Sequence, residues 1–129
     1  MSDVEQYAPG TPSWVDVSSP DPDAGAAFYS GLFGWTATEP GPVEETGGYR
    51  MFELRGRVVA GIGPMQPNVP LPVWTTYITV ADAEEACAAA REAGGVVFLE
   101  PMDVLTAGRM AVIADPQGAV FSVWQPIDR

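Results

Sequence analysis

The sequence contains no histidine and no lysine, and its single cysteine is Cys87. Without imidazole there is no Ser-His-Asp or Cys-His triad, no histidine general base and no histidine-held metal. Without lysine there is no Schiff-base amine. One thiol excludes an internal disulfide and a cysteine-rich zinc site. Positive charge is scarce as well: 6 arginines face 17 acidic residues, a net charge of −11 over 129 residues. A surface of that sign repels phosphate, so nucleic acid is not expected as a partner. The same sign favours a cationic ligand, though acidity also serves solubility. No apolar run approaches the ~18 residues of a membrane span, so no membrane partner is expected. The acidic start, Met1-Ser2-Asp3-Val4-Glu5, lacks the basic and apolar regions of a signal peptide, and the expected location is cytoplasmic.

What is present is a foldable chain, 47% apolar and 18% charged, which argues against disorder. Residues 1–12 read as a loose, polar arm. Trp14 to Ser18 alternates with a period of two, so Val15 and Val17 face one way and Trp14, Asp16 and Ser18 the other. Asp21 caps a helix that opens on Pro22 and runs to Leu32, with Ala24, Ala27, Phe28 and Leu32 as its apolar stripe and Gly34 as its stop. A short strand at 35–38, a Pro/Gly/Glu-rich loop and a hairpin turning at Gly56 follow. Residues 64–73 hold Pro64, Pro67, Pro70 and Pro72 and read as a linker.

The order then restarts. A strand from Trp74 to Val80 leads into a helix capped by Asp82, with Glu85 at capping-box spacing and a stripe of Ala83, Ala86, Cys87 and Ala90. Strands over 96–99, 109–114 and 120–125 complete the second half, with a loop or short strand at 102–107. Asp23-Ala24 recurs as Asp82-Ala83, and Arg50-Met51 recurs at the same offset as Arg109-Met110. Gly56 and Pro64 recur as Gly118 and Pro126, at a slightly longer offset that they share. Such a repeat decides architecture. It gives an α+β fold of two βαβββ modules, residues 13–63 and 74–126, with helices outside and sheet faces lining a groove.

The segments Trp14-Val-Asp-Val-Ser-Ser-Pro-Asp-Pro-Asp-Ala-Gly-Ala-Ala-Phe-Tyr-Ser-Gly-Leu-Phe-Gly-Trp35, Tyr77-Ile-Thr-Val-Ala-Asp-Ala-Glu-Glu-Ala86 and Gly108-Arg-Met-Ala-Val-Ile-Ala-Asp-Pro-Gln-Gly118 resemble the vicinal oxygen chelate superfamily. That superfamily holds glyoxalase I, extradiol dioxygenases, fosfomycin-resistance enzymes and bleomycin-binding proteins. The wording is most similar to its actinobacterial glyoxalase-like branch, over residues 13–126. The resemblance implies a cupped mixed sheet and a homodimer. It also implies four metal-ligand positions, which fall on Trp14, near Ala60, on Thr75 and on Ser122. None supplies an imidazole or carboxylate, so no metal and no cofactor are expected. An all-oxygen Mg²⁺ or Mn²⁺ site from Asp16 and Glu53 is the remaining alternative.

Strand alternation sorts the candidate site. Trp14, Asp16 and Ser18 share one face, Thr75, Tyr77 and Thr79 another, and Ser122 and Trp124 a third; Glu53 is a further inward candidate. Tryptophan and tyrosine offer flat area with a polar tip, suited to planar ligands and cations, but each also serves as ordinary core. Asp16, flanked by valines, faces either a cavity, where its pKa would rise, or an arginine such as Arg50 or Arg109. Cys87 reads as a small core residue, Asp115 as turn chemistry and Gly94-Gly95 as a helix stop.

Two functions fit. One is metal-free binding of a small cationic or aromatic natural product, for sequestration or self-resistance. The other is a cofactor-free cyclase, isomerase or lyase of secondary metabolism, with Asp16 as acid/base and Tyr77 or Arg109 stabilising an oxyanion.

Overall fold

A computed structural model describes residues 7–39, 41–42, 46–65 and 71–127. Among them lie eight strands and two helices, an α+β fold. The chain divides into two compact units, one built on residues 14–74 and the other on 6–13 with 75–129.

The first unit contains β1 (Pro12–Ser19, from Trp14), α1 (Pro22–Phe33), β2 (Thr36–Ala37), β3 (Arg50–Leu54) and β4 (Arg57–Pro64), with strands in the order β2-β3-β4-β1. β1 and β4 are parallel; the hairpin β3–β4 is antiparallel. Its turn uses Arg55 (φ 54°) and Gly56 (φ 79°), the paired left-handed residues of a two-residue hairpin loop. Asp21 Oδ1 accepts from the Ala24 amide at 3.1 Å, and Gly34 closes α1 at φ 76°. Val17, Ala26, Phe52, Ala60 and Ile62 form the core between helix and sheet, with Tyr29 and Trp35 packed on it.

Here the expected stripe of α1 is overturned. Ala24, Ala27, Phe28 and Leu32 are exposed, Phe28 at 61% and Leu32 at 59%; Ala26 is the buried residue. The physical reason lies at Gly25. An ideal Cβ there would sit 2.8 Å from Ile62 Cδ1. The helix therefore lays its glycine side, with Ala26 and Tyr29, on the sheet, and the bulkier stripe is turned out.

The second unit contains β5 (Trp74–Thr79, from Thr75), α2 (Ala83–Glu92), β6 (Val96–Val104), β7 (Gly108–Ala114) and β8 (Val120–Pro126), in the order β5-β8-β7-β6. Asp82 Oδ1 caps α2 through the Glu84 and Glu85 amides at 2.9 and 3.1 Å. The α2 stripe is as expected: Ala83 and Cys87 are buried on Ala111, Ile113 and Val123, with Ala86 and Ala90 beside them. β6 continues to Val104, through register shifts after Val97 and Leu99, where a loop or short strand had been expected. The N-terminal arm is not loose where it is described. Gly10 N donates to Thr79 O at 2.8 Å, and Thr79 N donates to Thr11 O at 2.9 Å.

Candidate functional site

On β1, Val17 points into the helix-side core, so its neighbours Asp16 and Ser18 lie on the opposite face. The register carries that face across the sheet. Asp16 stands beside Gly61, which stands beside Met51; Ser18 stands beside Gly63. Two glycines at alternate positions of β4 leave this face without side chains, and the ring of Tyr49 fills the space. A methyl on Gly61 would overlap the Tyr49 hydroxyl, and one on Gly63 would lie 2.8 Å from Tyr49 Cδ2. This close approach fixes where the hydroxyl sits. Tyr49 donates to Asp16 Oδ2 at 2.8 Å and accepts from Trp14 Nε1 at 2.8 Å. Asp16 is only 9% exposed. A carboxylate at that depth needs polar partners, and Trp14–Tyr49–Asp16 is such a chain.

Tyr49 was not among the residues singled out from the sequence. The signal was the pattern Gly61-Ile62-Gly63: glycines two apart on a strand open a slot on one face, and a neighbouring aromatic covers it. Ser18 belongs to the same face but is engaged by the backbone. Its Oγ accepts from Val73 N at 3.3 Å and lies 3.4 Å from Val73 O. Glu53, half-buried, pairs in register with Val58 and Thr36. It lies two strands from Asp16 and two residues beyond Met51, a backbone separation of roughly 12 Å at standard strand spacings. The two carboxylates are not brought together on one ion, since Mg²⁺–oxygen bonds are only ~2.0–2.1 Å long.

In the second unit Tyr77 stands beside Ser122, and Thr79 beside Trp124. Ser122 in turn opposes Val112, and Trp124 opposes Met110. Tyr77, Thr79 and Ser122 are buried, at 7%, 3% and 1% exposure. The Trp124 ring lies over Gly108, where a methyl would come within 2.6 Å of Cζ2. Thr75 and Trp124 are half-exposed.

Arg109 does not share this face. It alternates with Ala111 and Ile113 toward α2, and its guanidinium is held there: Nη1 donates to Glu84 Oε2 at 3.0 Å, Nε lies 3.1 Å from Asp103 Oδ1, and Nη2 donates to Pro101 O at 3.3 Å. The expected role beside Tyr77 fails on that alternation. Arg50 likewise reaches Asp23 at 3.2 Å and Thr38 O at 2.9 Å, on the helix side of the sheet, and not Asp16's face. Cys87 is a core residue; burial, with Glu100 adding to it, pushes its thiol pKa up.

A family model, the Glyoxalase/Bleomycin resistance protein/Dioxygenase superfamily, matches residues 11–123. The chain belongs to this superfamily. It is 44% identical over 139 residues to the anthracycline biosynthesis protein DauV of Streptomyces sp. (strain C5), and to DnrV of Streptomyces peucetius, covering 95% of this chain and 49% of each relative. It is 42% identical over 129 residues to CFP32 of Mycobacterium tuberculosis (strain CDC 1551 / Oshkosh), whose name marks it as a candidate glyoxylase, covering 97% of this chain and 49% of that one. The chain thus spans about half the length of the curated relatives it matches. Among solved structures, a methylmalonyl-CoA epimerase of Streptomyces coelicolor has a similar fold: TM-score 0.63, 17% identity, 94% of this chain and 100% of that one. So does a superfamily member from Vibrio splendidus 12B01, with TM-score 0.57, 17% identity, and 88% and 97% coverage.

Ala60, near which the resemblance put the fourth-strand position, is fully buried beside Phe52 in the helix-side core, and its neighbour Gly61 stands beside Asp16. In the first unit Trp14 and Gly61 offer an indole and a hydrogen, and in the second Thr75 and Ser122 offer hydroxyls; neither pair supplies the carboxylate or imidazole that a divalent cation needs. Among the described residues no group of three His, Cys, Asp or Glu is placed to hold one, and no helix is long and apolar enough to cross a membrane.

Proposed function

We propose that this protein binds a small, planar natural product bearing a cationic group, and that the Trp14–Tyr49–Asp16 face of the first unit recognises it. The observation that carries the reading is the carboxylate of Asp16, 9% exposed and held by a phenol at 2.8 Å. A fixed anion of this kind is a counter-charge for an amine. Trp14 and Tyr49 add aromatic surface for a flat ring or for the cation. The net charge of −11 favours encounter with a cationic ligand over an anionic one. Relatives named for anthracycline biosynthesis support a setting in secondary metabolism. Sequestration is the simplest role, and a cytoplasmic location suits it.

Titration by tryptophan fluorescence or calorimetry against an amine-bearing anthracycline and its N-acetylated counterpart tests the reading. The expected result is micromolar or tighter binding of the amine. Asp16→Asn, which keeps an acceptor for Tyr49 but loses the charge, should weaken it by about tenfold, or 1.4 kcal/mol. Equal affinity for the two ligands removes the counter-charge role. Absence of binding to both overturns the proposal.

A second reading rests on the same contact. A carboxylate that accepts from a phenol can work as an acid/base pair, and in this reading Asp16 moves a proton on a bound ligand through Tyr49. In that case Asp16→Asn and Tyr49→Phe abolish conversion of the ligand, seen as product by mass spectrometry, while circular dichroism shows both variants still folded. Conversion that survives both substitutions excludes it.

A further inference from the structure

We infer that Glu53 is a second anchor on the ligand face and sets which ligand that face takes: a fused polycyclic body with a hydrogen-bond donor at each end, one end on Asp16 and the other on Glu53. The inference rests on the reading that a planar, cationic ligand binds here, and it adds the length of that ligand and the group at its far end.

Three acids among the described residues are not exposed: Asp16, Glu53 and Asp115. Two of them are satisfied within the chain. Asp16 accepts from the Tyr49 hydroxyl, and Asp115 accepts from the Gln117 and Ala119 amides at 2.9 Å, inside its own turn. Glu53 is half-buried, and its side chain has no hydrogen bond or ion pair among the described residues. Partial burial of an unpaired carboxylate destabilises a fold. Its strand neighbours, Val58 and Thr36, offer no positive charge to offset this. A local rule broken without internal compensation points to a partner from outside.

Register puts Glu53 on the same face as Asp16. Phe52 is fully buried in the helix-side core, so its β3 neighbours Met51 and Glu53 point to the other side. The irregularity between Phe52 and Glu53 falls on β4, where Val59 is the extra residue; Val59 and Ala60 both pack toward the core, and β3 keeps its alternation. Met51 lies between the two anchors. It stands beside Gly61, which stands beside Asp16, and it is 38% exposed. A thioether is a soft, adaptable floor for a flat ring. The roughly 12 Å of backbone between the two carboxylates is too far for a single aromatic ring to bridge and suits several fused ones. Carboxylates only accept, so both ends of the ligand must donate.

Two acridine dyes test the inference. Proflavine carries an amino group at each end of its fused plane, and 3-aminoacridine at one end only; both are monocations in mildly acidic buffer. Equal charge cancels the general attraction of a chain at −11. Titration by dye fluorescence should show proflavine binding the unaltered chain about tenfold tighter than 3-aminoacridine. Glu53→Ala should weaken proflavine by about tenfold and bring the two dyes together, while Asp16→Asn weakens both. Glu92→Ala, at an exposed acid of the other unit, should change neither. Equal affinity of the dyes for the unaltered chain, or a proflavine affinity that Glu53→Ala leaves unchanged, overturns the inference. If Asp16→Asn still weakens both dyes in that case, the Asp16 anchor stands without Glu53. Binding of neither dye also overturns the inference, and the amine-bearing anthracycline then decides the underlying reading separately. Urea unfolding gives an independent check. Glu53→Gln removes an unpaired charge, so the midpoint should stay or rise; a lowered midpoint would make Glu53 a structural residue and count against it as an anchor.

Discussion

The two helices occupy equivalent places in their units, after the first strand and capped by the matching aspartates Asp21 and Asp82, yet they settle their orientation differently. On α2 the stripe of Ala83, Ala86, Cys87 and Ala90 is apolar, and the rest of the helix surface holds Glu84, Glu85, Arg91 and Glu92. Burying the charged face would cost several kcal/mol per unpaired charge, so only one rotation is acceptable. On α1 no residue after Asp23 is charged, and every face is apolar or small. Hydrophobicity therefore does not choose a side. Close approach chooses it, since Gly25 admits Ile62 where any Cβ would collide. The larger residues, which look like the core stripe from the sequence, are left outside.

A charge inserted in each stripe gives the largest contrast. Cys87 is 2% exposed. Cys87→Glu buries an unpaired carboxylate and should cost about 3–5 kcal/mol, much of the stability of a small domain. Phe28→Glu, on a side chain 61% exposed, should change stability by no more than about 0.5 kcal/mol in the monomer. Urea unfolding followed by circular dichroism measures both. Comparable losses for the two would mean that α1 is buried much as α2 is, and the comparison would fail.

The same contrast explains what could be read from the sequence. The α+β order, both caps, the hairpin turn at Gly56 and the α2 stripe follow from local rules whose signals agree with one another. The face of β1 that carries Trp14, Asp16 and Ser18 was legible too, because strand alternation needs only one buried neighbour, Val17. The α1 stripe was not, because its decisive contact pairs Gly25 with Ile62, a residue far along the chain on β4. Tyr49 was hidden for a related reason: it acts by crossing a strand to reach Asp16 and Trp14, over glycines whose meaning depends on β1–β4 register. Arg109 was misplaced because arginine attracts a catalytic reading, while one residue of strand register decides which face receives it.

A glycine pair within α1 sharpens the comparison at a smaller scale. Gly25→Ala places a methyl 2.8 Å from Ile62 Cδ1 and 3.4 Å from Ser19 Oγ, in a core where Ile62 is fully buried. Overpacking of that kind costs ~1–3 kcal/mol, against a gain of ~0.5–1 kcal/mol from replacing a helical glycine. The net expectation is a loss of about 1 kcal/mol. Gly31→Ala meets nothing within 4 Å and keeps only the gain, about 0.5–1 kcal/mol of added stability. Opposite signs from two glycines of one helix would establish which side lies on the sheet. Two stabilising substitutions would show that Gly25 is not what turns the helix.

The smallest expected effect uses the one titrating group buried in the α2 stripe. Burial pushes the Cys87 thiol up; Glu100 and Glu84 push the same way, and Arg91 opposes them. A raised pKa means that the folded chain holds this proton at pH values where the unfolded chain has released it. The stability it contributes is complete below the unfolded thiol's ordinary value, and it drains away as the pH rises from there to the folded value. Urea midpoints should therefore fall at alkaline pH, and Cys87→Ala, despite its lower starting stability, should show a flatter alkaline slope. If the two slopes coincide, the thiolate forms without penalty, and the interior of the α2 stripe is wetter than its 2% exposure implies.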